Sequence, residues 1–325
     1  TDKGCREGTS VQLSDSNWAS VFGKDGCDNG AFDTSKKTGG DIKELQVLSE
    51  AGATGVKWVP NSGAAELIGE LKEQKGKLVR LFAAWDDQRS RIIVGQGTFN
   101  DELPNESQDE IYAAKKVGSK FQLTQLRPTG TGPVARYGSC AAYVYDKDAG
   151  LDGVFILGGQ EGAPERIPAT TYKEDWWLDF KKNATNGEWV NLTGRFDNMD
   201  NFGARREGGC AYDAASKTFY SWMGRTSGTY PDSSRRSPGV WRVNLAQLGD
   251  SASKLSWERL AKDNTKGLEG RRLFPSIWDA ANKRIIVVAG RGGSDELSAF
   301  RDAWAIYPDV TGEACSNLDI FAPYR

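Results

Sequence analysis

The chain has 325 residues, with 42 lysines and arginines against 44 aspartates and glutamates, and it contains no histidine. The net charge of −2 argues against a nucleic-acid binder or an anionic-membrane binder driven by bulk charge. The lack of histidine excludes Ser-His-Asp and Cys-His nucleophilic systems, histidine-ligated zinc or copper, and an imidazole general base.

The composition favours an extracellular all-β protein. Thirty-eight glycines, 11 tryptophans and 13 phenylalanines indicate many tight turns and aromatic strands. No apolar stretch reaches the length of a membrane span, so we expect none. The first residues, Thr1-Asp2-Lys3, lead us to expect that a signal peptide has been removed. Five cysteines and three sequons fit secretion, and the glycosylation candidates are Asn105, Asn183 and Asn191.

Self-similarity divides the chain into five units. The segment from Lys77 to Gly97 aligns with the segment from Gly270 to Gly292, and shorter matches mark the other copies. Each unit predicts four strands, in which a small-residue strand precedes an apolar strand that ends at glycine and two further strands close the unit. The predicted units span residues 5–60, 76–126, 133–193, 203–260 and 269–325. Residues 64–75 alone have helical spacing, which predicts a short helical insertion between the first two units.

Motifs in the third unit resemble the kelch repeat. They are Arg136-Tyr-Gly-Ser-Cys-Ala, a hydrophobic run that ends at Gly158-Gly159, Asp175-Trp-Trp-Leu-Asp and then Trp189. The other units keep this order but lose one glycine. The resemblance implies one kelch-like β-propeller of about five four-stranded blades, with six or seven if a degenerate unit escaped the search. Kelch enzymes that use copper or iron need histidine ligands, so no cofactor is expected.

An arginine opens every unit, and it has two interpretations. The five arginines could form a positive ring at the channel mouth that holds a carboxylate or sulfate, or each could tie its blade to a neighbour through a carboxylate such as Glu7 or Glu207. Repetition in every unit favours the structural interpretation. The five residues are Arg6, Arg80, Arg136, Arg206 and Arg272.

Long polar side chains follow the glycine that ends each second strand. Variation among equivalent positions is typical of a surface that reads a ligand, although solvated loops vary equally. These residues are Lys24, Gln96, Gln160, Arg225 and Arg291.

The cysteines predict one closing disulfide. Cys140 and Cys210 are placed at equivalent positions of adjacent blades, too far apart to pair, so we expect both to be buried thiols. Cys5 and Cys315 lie near the two ends of the ring, and a bond between them would close it. A Cys5–Cys27 bond is the alternative.

Three functions remain open. The first is a secreted binding or scaffold propeller that recognises a protein or a glycan through the long loops of one face, within 96–109, 160–174, 225–238 and 291–301. The second is a metal-free enzyme, such as a sugar-acid isomerase or mutarotase, with Glu7 or Glu207 as acid–base group; it requires a carboxyl pKa well above normal in the channel. The third is a structural subunit that assembles with itself. We predict the first, without catalytic residues or a metal site.

Overall fold

The computed structural model describes the strands and most of the turns that join them. Before residue 80, and at a few later positions, it describes only the backbone of strands. The described residues are 9–12, 17–21, 32–33, 38–41, 43–50, 53–59, 64–67, 77–99, 107, 109–117, 120–161, 171–198, 202–226, 239–261, 268–292, 298–300, 302–308 and 315–320.

Strands dominate the first half of the described chain. The first eight are β1 (Thr9–Gln12), β2 (Asn17–Val21), β3 (Phe32–Asp33), β4 (Thr38–Asp41), β5 (Lys43–Glu50), β6 (Ala53–Val59), β7 (Ala64–Leu67) and β8 (Lys77–Val79). They are followed by β9 (Phe82–Asp86), β10 (Arg91–Gly95), β11 (Thr98–Phe99), β12 (Ile111–Val117), β13 (Lys120–Leu126), β14 (Cys140–Asp146), β15 (Leu151–Leu157), β16 (Asp175–Asp179) and β17 (Glu188–Asn191).

The second half is built in the same way, with additional two-residue strands between the longer ones. These strands are β18 (Phe196–Asp197), β19 (Arg205–Arg206), β20 (Gly209–Asp213), β21 (Thr218–Trp222), β22 (Arg225–Thr226), β23 (Val240–Asn244), β24 (Leu255–Ser256) and β25 (Glu258–Ala261). The last are β26 (Arg271–Arg272), β27 (Ser276–Asp279), β28 (Arg284–Val288), β29 (Arg291–Gly292), β30 (Ser298–Ala299), β31 (Ala303–Ile306) and β32 (Cys315–Ile320).

The longer strands form antiparallel four-stranded meanders. Two of them are separate sheets, β14-β15-β16-β17 and β20-β21-β23-β25. A third, β9-β10-β12-β13, belongs to a nine-stranded sheet. In the eight-stranded sheet, β1-β2-β5-β6 joins β27-β28-β31-β32 because β6 and β32 pair in parallel. Four of these meanders have described side chains, and β1-β2-β5-β6 is described by its backbone.

The first strands of the meanders surround a common axis. β1 contacts β9, β9 contacts β14, β14 contacts β20, β20 contacts β27, and β27 returns to β1. Sheets that radiate from such a ring make a propeller, so the predicted all-β propeller arrangement is confirmed, with almost no helix in the described part of the chain.

The predicted helical insertion at 64–75 is wrong where the structure describes it. Ala64–Leu67 is strand β7, which pairs antiparallel with β4 and parallel with β13. A 12-residue helix is marginal without a tertiary partner, and here the backbone groups find theirs in two neighbouring strands. Residues 68–75 lie outside the described part.

An aspartate closes the hairpin after each of four first strands, β9, β14, β20 and β27. Asp86 accepts the backbone N–H of Arg89 at 3.1 Å, and Asp279 accepts that of Asn282 at 3.2 Å. Asp146 and Asp213 do the same for residues two or three positions ahead. Because such side chains stabilise turns locally, the aspartates fix the point at which each strand reverses.

Aromatic side chains fill the spaces between meanders. Phe155 of β15 lies edge-to-face with Phe219 of β21, with centroids 4.7 Å apart, and Phe202 stacks on Trp257 at 4.1 Å. Second strands such as β10, β21 and β28 are buried at every residue. Each of these strands therefore packs on both faces. This packing holds the ends of the strands in fixed positions.

Candidate functional site

Backbone hydrogen bonds between neighbouring meanders define which residues are equivalent at one end of the axis. The N–H of Gly138 donates to the carbonyl of Arg80 at 2.9 Å, that of Glu207 to Gly138 at 2.7 Å, and that of Leu273 to Glu207 at 3.1 Å. All four residues have a left-handed backbone, with φ between 54° and 70°. Arg80, Gly138, Glu207 and Leu273 therefore occupy one position of the repeat.

A second set of hydrogen bonds corrects the predicted arginine ring. The N–H groups of Gly97, Gly159 and Gly224 donate to the carbonyls of Arg136, Arg205 and Arg271, respectively. Arg136 is thus equivalent to Arg205 and Arg271, not to Arg206 and Arg272, and Arg80 lies two positions further along. The five predicted arginines do not share one position. Arg6 lies outside the described residues.

The equivalent arginines hold their own meanders together. Arg136 donates to the carbonyl of Gly158 at 3.1 Å and pairs with Glu174 at 3.0 Å. Arg271 makes the matching bond to Ala289 at 3.0 Å and binds both carboxylate oxygens of Asp302. Burial lowers the pKa of Arg136 despite the nearby Glu174. This position is a structural arginine site in three meanders, and Leu78 occupies it in the second.

The other three arginines converge on Glu207. Arg272 donates to the Glu207 carboxylate at 2.8 Å, and an Arg80 nitrogen lies 3.8 Å from it. Arg206 lowers the pKa of the same carboxyl by its charge and donates to Thr171 at 2.9 Å. The guanidinium carbon of Arg80 lies 5.3 Å from the ring centroid of Tyr137. We call Arg80, Arg206, Arg272 and Glu207 the arginine cluster.

The arginine cluster links meanders that are not neighbours. Arg80 precedes β9 and Glu207 precedes β20, and β14 lies between these two strands in the ring. The Glu207 side chain passes beside Gly138 of the intervening meander, where a Cβ would lie 3.0 Å from the Glu207 Cγ. The contact of Arg272 with Glu207 joins neighbouring meanders, which is the kind of tie that the structural interpretation of the arginines predicts, whereas the contact of Arg80 with Glu207 reaches one meander further.

The electrostatics of Glu207 do not match those of an acid–base group. Burial raises its pKa, but the charges of Arg272, Arg80 and Arg206 outweigh burial and hold the pKa well below its ordinary value. A general acid or base at neutral pH needs a pKa near neutrality. Glu207 therefore fails the requirement stated for the enzyme hypothesis, while Glu7 lies outside the described residues. Burial and Glu207 raise the pKa of Tyr137.

The loops after the second strands begin beside this cluster. The first residues of these loops form antiparallel backbone pairs with residues at the cluster. Gln160 is paired with Tyr137, Arg225 with Arg206, and Arg291 with Arg272. In the second meander the same position is held by Thr98, which pairs with Val79, so the predicted equivalence of Gln96 is wrong by two residues. Lys24 lies outside the described residues.

Gln96 nevertheless lies next to the cluster. Its carboxamide oxygen accepts the Ser139 hydroxyl at 2.8 Å, and Ser139 follows Gly138, whose backbone bonds to Arg80 and Glu207. Sequence reasoning missed Tyr137 and Ser139. Their place directly after Arg136, in the opening motif, is the signal that could have found them.

Cys140 and Cys210 form a disulfide with a Cα separation of 5.9 Å, so the prediction of two free thiols is wrong. Cys140 pairs with Leu157, whereas Cys210 pairs with Ser221, one position away from the equivalent place in its meander. Adjacent positions of a strand point to opposite faces, so this offset turns the two sulfurs toward each other. The side chains of Cys5, Cys27 and Cys315 lie outside the described part.

The sequons differ in exposure. Asn191 is exposed at the end of β17, where its side-chain oxygen accepts the N–H of Thr193 at 2.7 Å. Asn183 is half-buried in a turn and accepts the N–H of Asn186 at 3.1 Å. Asn105 lies outside the described residues.

The described part of the chain has neither a metal-binding cluster nor a membrane-spanning helix. No cluster of three or more cysteine, aspartate or glutamate side chains there could hold a metal ion. No helix within the described ranges is long and apolar enough to cross a membrane.

Comparison with known proteins identifies a fold but no family. No family model and no curated protein matches the chain. A solved structure titled "Structure of YjhT" is similar over 97% of this chain and 98% of that chain, with a TM-score of 0.54 and 10% identity. A structure of RAG with one melted and one unmelted RSS is similar over 96% of this chain and 80% of that chain, with a TM-score of 0.54 and 13% identity. These likenesses extend to the fold alone.

Proposed function

We propose that the protein is an extracellular, kelch-like propeller of five blades that binds a protein or a glycan through the loops of one face. The blade count rests on five meanders whose first strands contact one another in a closed cycle. An experimental structure tests it, because a sixth four-stranded unit in the ring would contradict a count of five.

One observation carries the choice of face. The loop-base residues Thr98, Gln160, Arg225 and Arg291 all pair with residues at the end of the axis that holds the arginine cluster. Variable loops that converge at one end of a rigid scaffold are a common way to build a recognition surface. The opposite end has short aspartate-capped hairpins, which offer less surface.

Tyr172 is a recognition residue on the proposed face. It is half-buried, its ring lies 4.1 Å from the Arg136 guanidinium carbon, and its hydroxyl donates to the exposed Glu161 at 2.5 Å. An aromatic side chain held in this way contributes binding area with little loss of conformational entropy. We propose that it contacts the partner.

The extracellular location is supported by the disulfide and by an exposed sequon. A structural disulfide persists in oxidising compartments and is rare in the cytosol. Mass spectrometry of peptides from the natural source tests this: we expect a Cys140–Cys210 crosslinked peptide and a glycan on Asn191. Unmodified Asn191 together with alkylatable cysteines would contradict it.

The binding function is tested on an array of defined glycans and, in parallel, on purified candidate proteins. Tyr172→Ala should reduce binding about tenfold or more if the residue is part of the contact. Gln88→Ala, an exposed change in the hairpin at the opposite end, is the matched control and should bind as the wild type does. Equal effects of the two variants would refute the choice of face.

A further inference from the structure

Asp175 is a buried carboxyl at a position that is apolar elsewhere in the repeat. It begins β16, where it pairs with Leu157 of β15, and it is 1% exposed. The same pairing position holds Ile111, Val240 and Ala303 in the other three meanders with described side chains, and all three are buried. The fold therefore does not require an acid at this place, and aspartate is seldom fully buried without a partner.

No side chain in the described part of the chain donates a hydrogen bond to the Asp175 carboxyl. Its backbone pairs with Leu157 on one side and accepts the N–H of Leu192 at 3.0 Å on the other. The backbone N–H of Gly158 and the charge of Arg136 favour the ionised form, but burial outweighs both and raises the pKa of Asp175 well above its usual range. Asp175 therefore keeps its proton to a higher pH than an exposed aspartate does.

Arg136 is the cation that acts on Asp175, and it is engaged with other groups. It is 0% exposed, and its guanidinium donates to the carbonyl of Gly158 at 3.1 Å and to the carboxylate of Glu174 at 3.0 Å. The ring centroid of Tyr172 lies 4.1 Å from its guanidinium carbon. Because charges interact strongly in a buried site, a negative charge on Asp175 would compete with Glu174 for Arg136.

The other charged groups of the neighbouring elements have partners of their own. Arg205 of the fourth meander donates to two backbone carbonyls. Asp152 of β15 and Glu188 of β17 each bind a basic side chain. Of these charged groups, Arg136 is the one whose charge shifts the pKa of Asp175. A change of charge on Asp175 is therefore transmitted first to Arg136.

We propose that Asp175 is a proton-sensitive switch that controls Tyr172. While Asp175 is protonated, Arg136 stays with Glu174 and supports the Tyr172 ring. When Asp175 loses its proton to water, the new charge draws Arg136 away from Glu174, which removes this support and loosens Tyr172. The inference goes beyond the proposed function, and only its consequence, weaker binding by the loop face at higher pH, rests on that function.

The experiment follows the full chain without ligand from about pH 5 to about pH 9. Infrared difference spectroscopy detects the C=O stretching band of a protonated carboxyl. We expect a band that disappears as pH rises through the raised pKa and that is missing from Asp175→Asn.

Hydrogen exchange measured by mass spectrometry follows Tyr172 itself, because its backbone N–H donates to the carbonyl of Gly159 at 2.9 Å. After correction for the intrinsic pH dependence of exchange, protection of this amide in wild type should fall about tenfold or more over the same pH range. Asp175→Asn is neutral at every pH and should keep constant protection.

Two further variants test the route. Asp179→Asn removes a half-buried acid from the same face of β16 at its other end, and asparagine can still accept the N–H of Lys181. This control should keep the pH dependence of Tyr172. Glu174→Gln removes the carboxylate that competes for Arg136, so it should move the midpoint of both measurements about one pH unit lower.

Circular dichroism checks that each variant folds, and Glu174→Gln keeps the inference falsifiable if Asp175→Asn does not fold. An infrared band unaffected by Asp175→Asn, an equal fall of Tyr172 protection in wild type and Asp175→Asn, or a loss of pH dependence in Asp179→Asn would each overturn the switch. An unchanged midpoint in Glu174→Gln would do the same. Failure of these ligand-free measurements overturns this inference alone, whereas a wild type that binds neither glycan nor candidate protein overturns the proposed function alone.

Discussion

Loss of the Cys140–Cys210 disulfide should destabilise the protein by about 4 kcal/mol. The two residues are 70 positions apart, and the chain-entropy model for a loop of that length gives this value at 25 °C. With an unfolding entropy of roughly 2.1 cal/mol/K per residue, a chain of 325 residues would melt about 6 °C lower. The double variant Cys140→Ala/Cys210→Ala is suitable, because Ala83 and Ala141 occupy the place of Cys210 in other meanders.

The free energy of unfolding is measured by urea titration with tryptophan fluorescence, and the melting temperature by calorimetry. Both are run on wild type and double variant, with and without a dithiol reductant. We expect the reductant to lower the stability of the wild type by the disulfide contribution. The variant lacks this bond, so any response that it keeps belongs to the remaining cysteines, and the difference between the two proteins isolates Cys140–Cys210.

Two results would refute this reasoning. If both cysteines react with an alkylating agent before reduction, they are thiols, as the sequence predicts. If the bond is present but the double variant unfolds within about 1 kcal/mol of wild type, the unfolded chain is already constrained near these residues, and the loop-entropy argument fails.

The remaining predictions concern single side chains. Asp175→Asn should stabilise the protein at pH 7, because burial raises the pKa of Asp175 well above its usual range. The folded wild type therefore loses stability as pH rises from about 4 toward that raised pKa. The stability that the variant gains over wild type should vanish near pH 4. Gly224→Ala should lower the free energy of unfolding by about 3 kcal/mol or more, because φ is +81° there and a Cβ would lie 2.6 Å from the carbonyl oxygen of Arg206. Gly194→Ala is the control, since φ is +78° but nothing lies within 4 Å, and it should lower the free energy of unfolding by about 1 kcal/mol. Equal losses of the two variants in urea unfolding would exclude the clash. Arg271→Lys keeps the charge but loses the two-pronged contact with Asp302 (2.5 and 3.0 Å), so we expect a loss of about 2 kcal/mol by urea unfolding, and a loss below about 0.5 kcal/mol would contradict this role.

The sequence was sufficient to predict the second strand of four meanders. The repeated run that ends at glycine predicts the second strands, and β10, β15, β21 and β28 are found there. Turn aspartates and apolar runs act locally, so their signal survives in a single sequence. The short helix failed because the pairing of β7 with β4 and β13 is a long-range contact that no local pattern records.

The candidate site was only partly predictable, because it depends on exact register. The opening arginine of the third unit aligns by sequence with Arg206, but the backbone bonds of Gly159 and Gly224 match it with Arg205 and Arg271. A shift of one residue exchanges the two faces of a strand. This shift explains why Arg206 and Arg272 were predicted as equivalents of Arg136 and why the Cys140–Cys210 bond was missed, while Arg80 lies one further position along.

Glu207 decides whether the arginine cluster also holds the fold together. Its left-handed backbone, with φ of 58°, is one that glycine adopts without strain, and Gly138 occupies the equivalent position. Glu207→Gly should therefore gain about 1 kcal/mol from relief of strain but lose about 3 to 5 kcal/mol, because buried guanidiniums lose the carboxylate that they share. We expect a net loss of about 2 to 4 kcal/mol in urea unfolding. A neutral or stabilising effect would mean that the side chain is retained for binding rather than for structure, since the fold alone would then prefer glycine at this position.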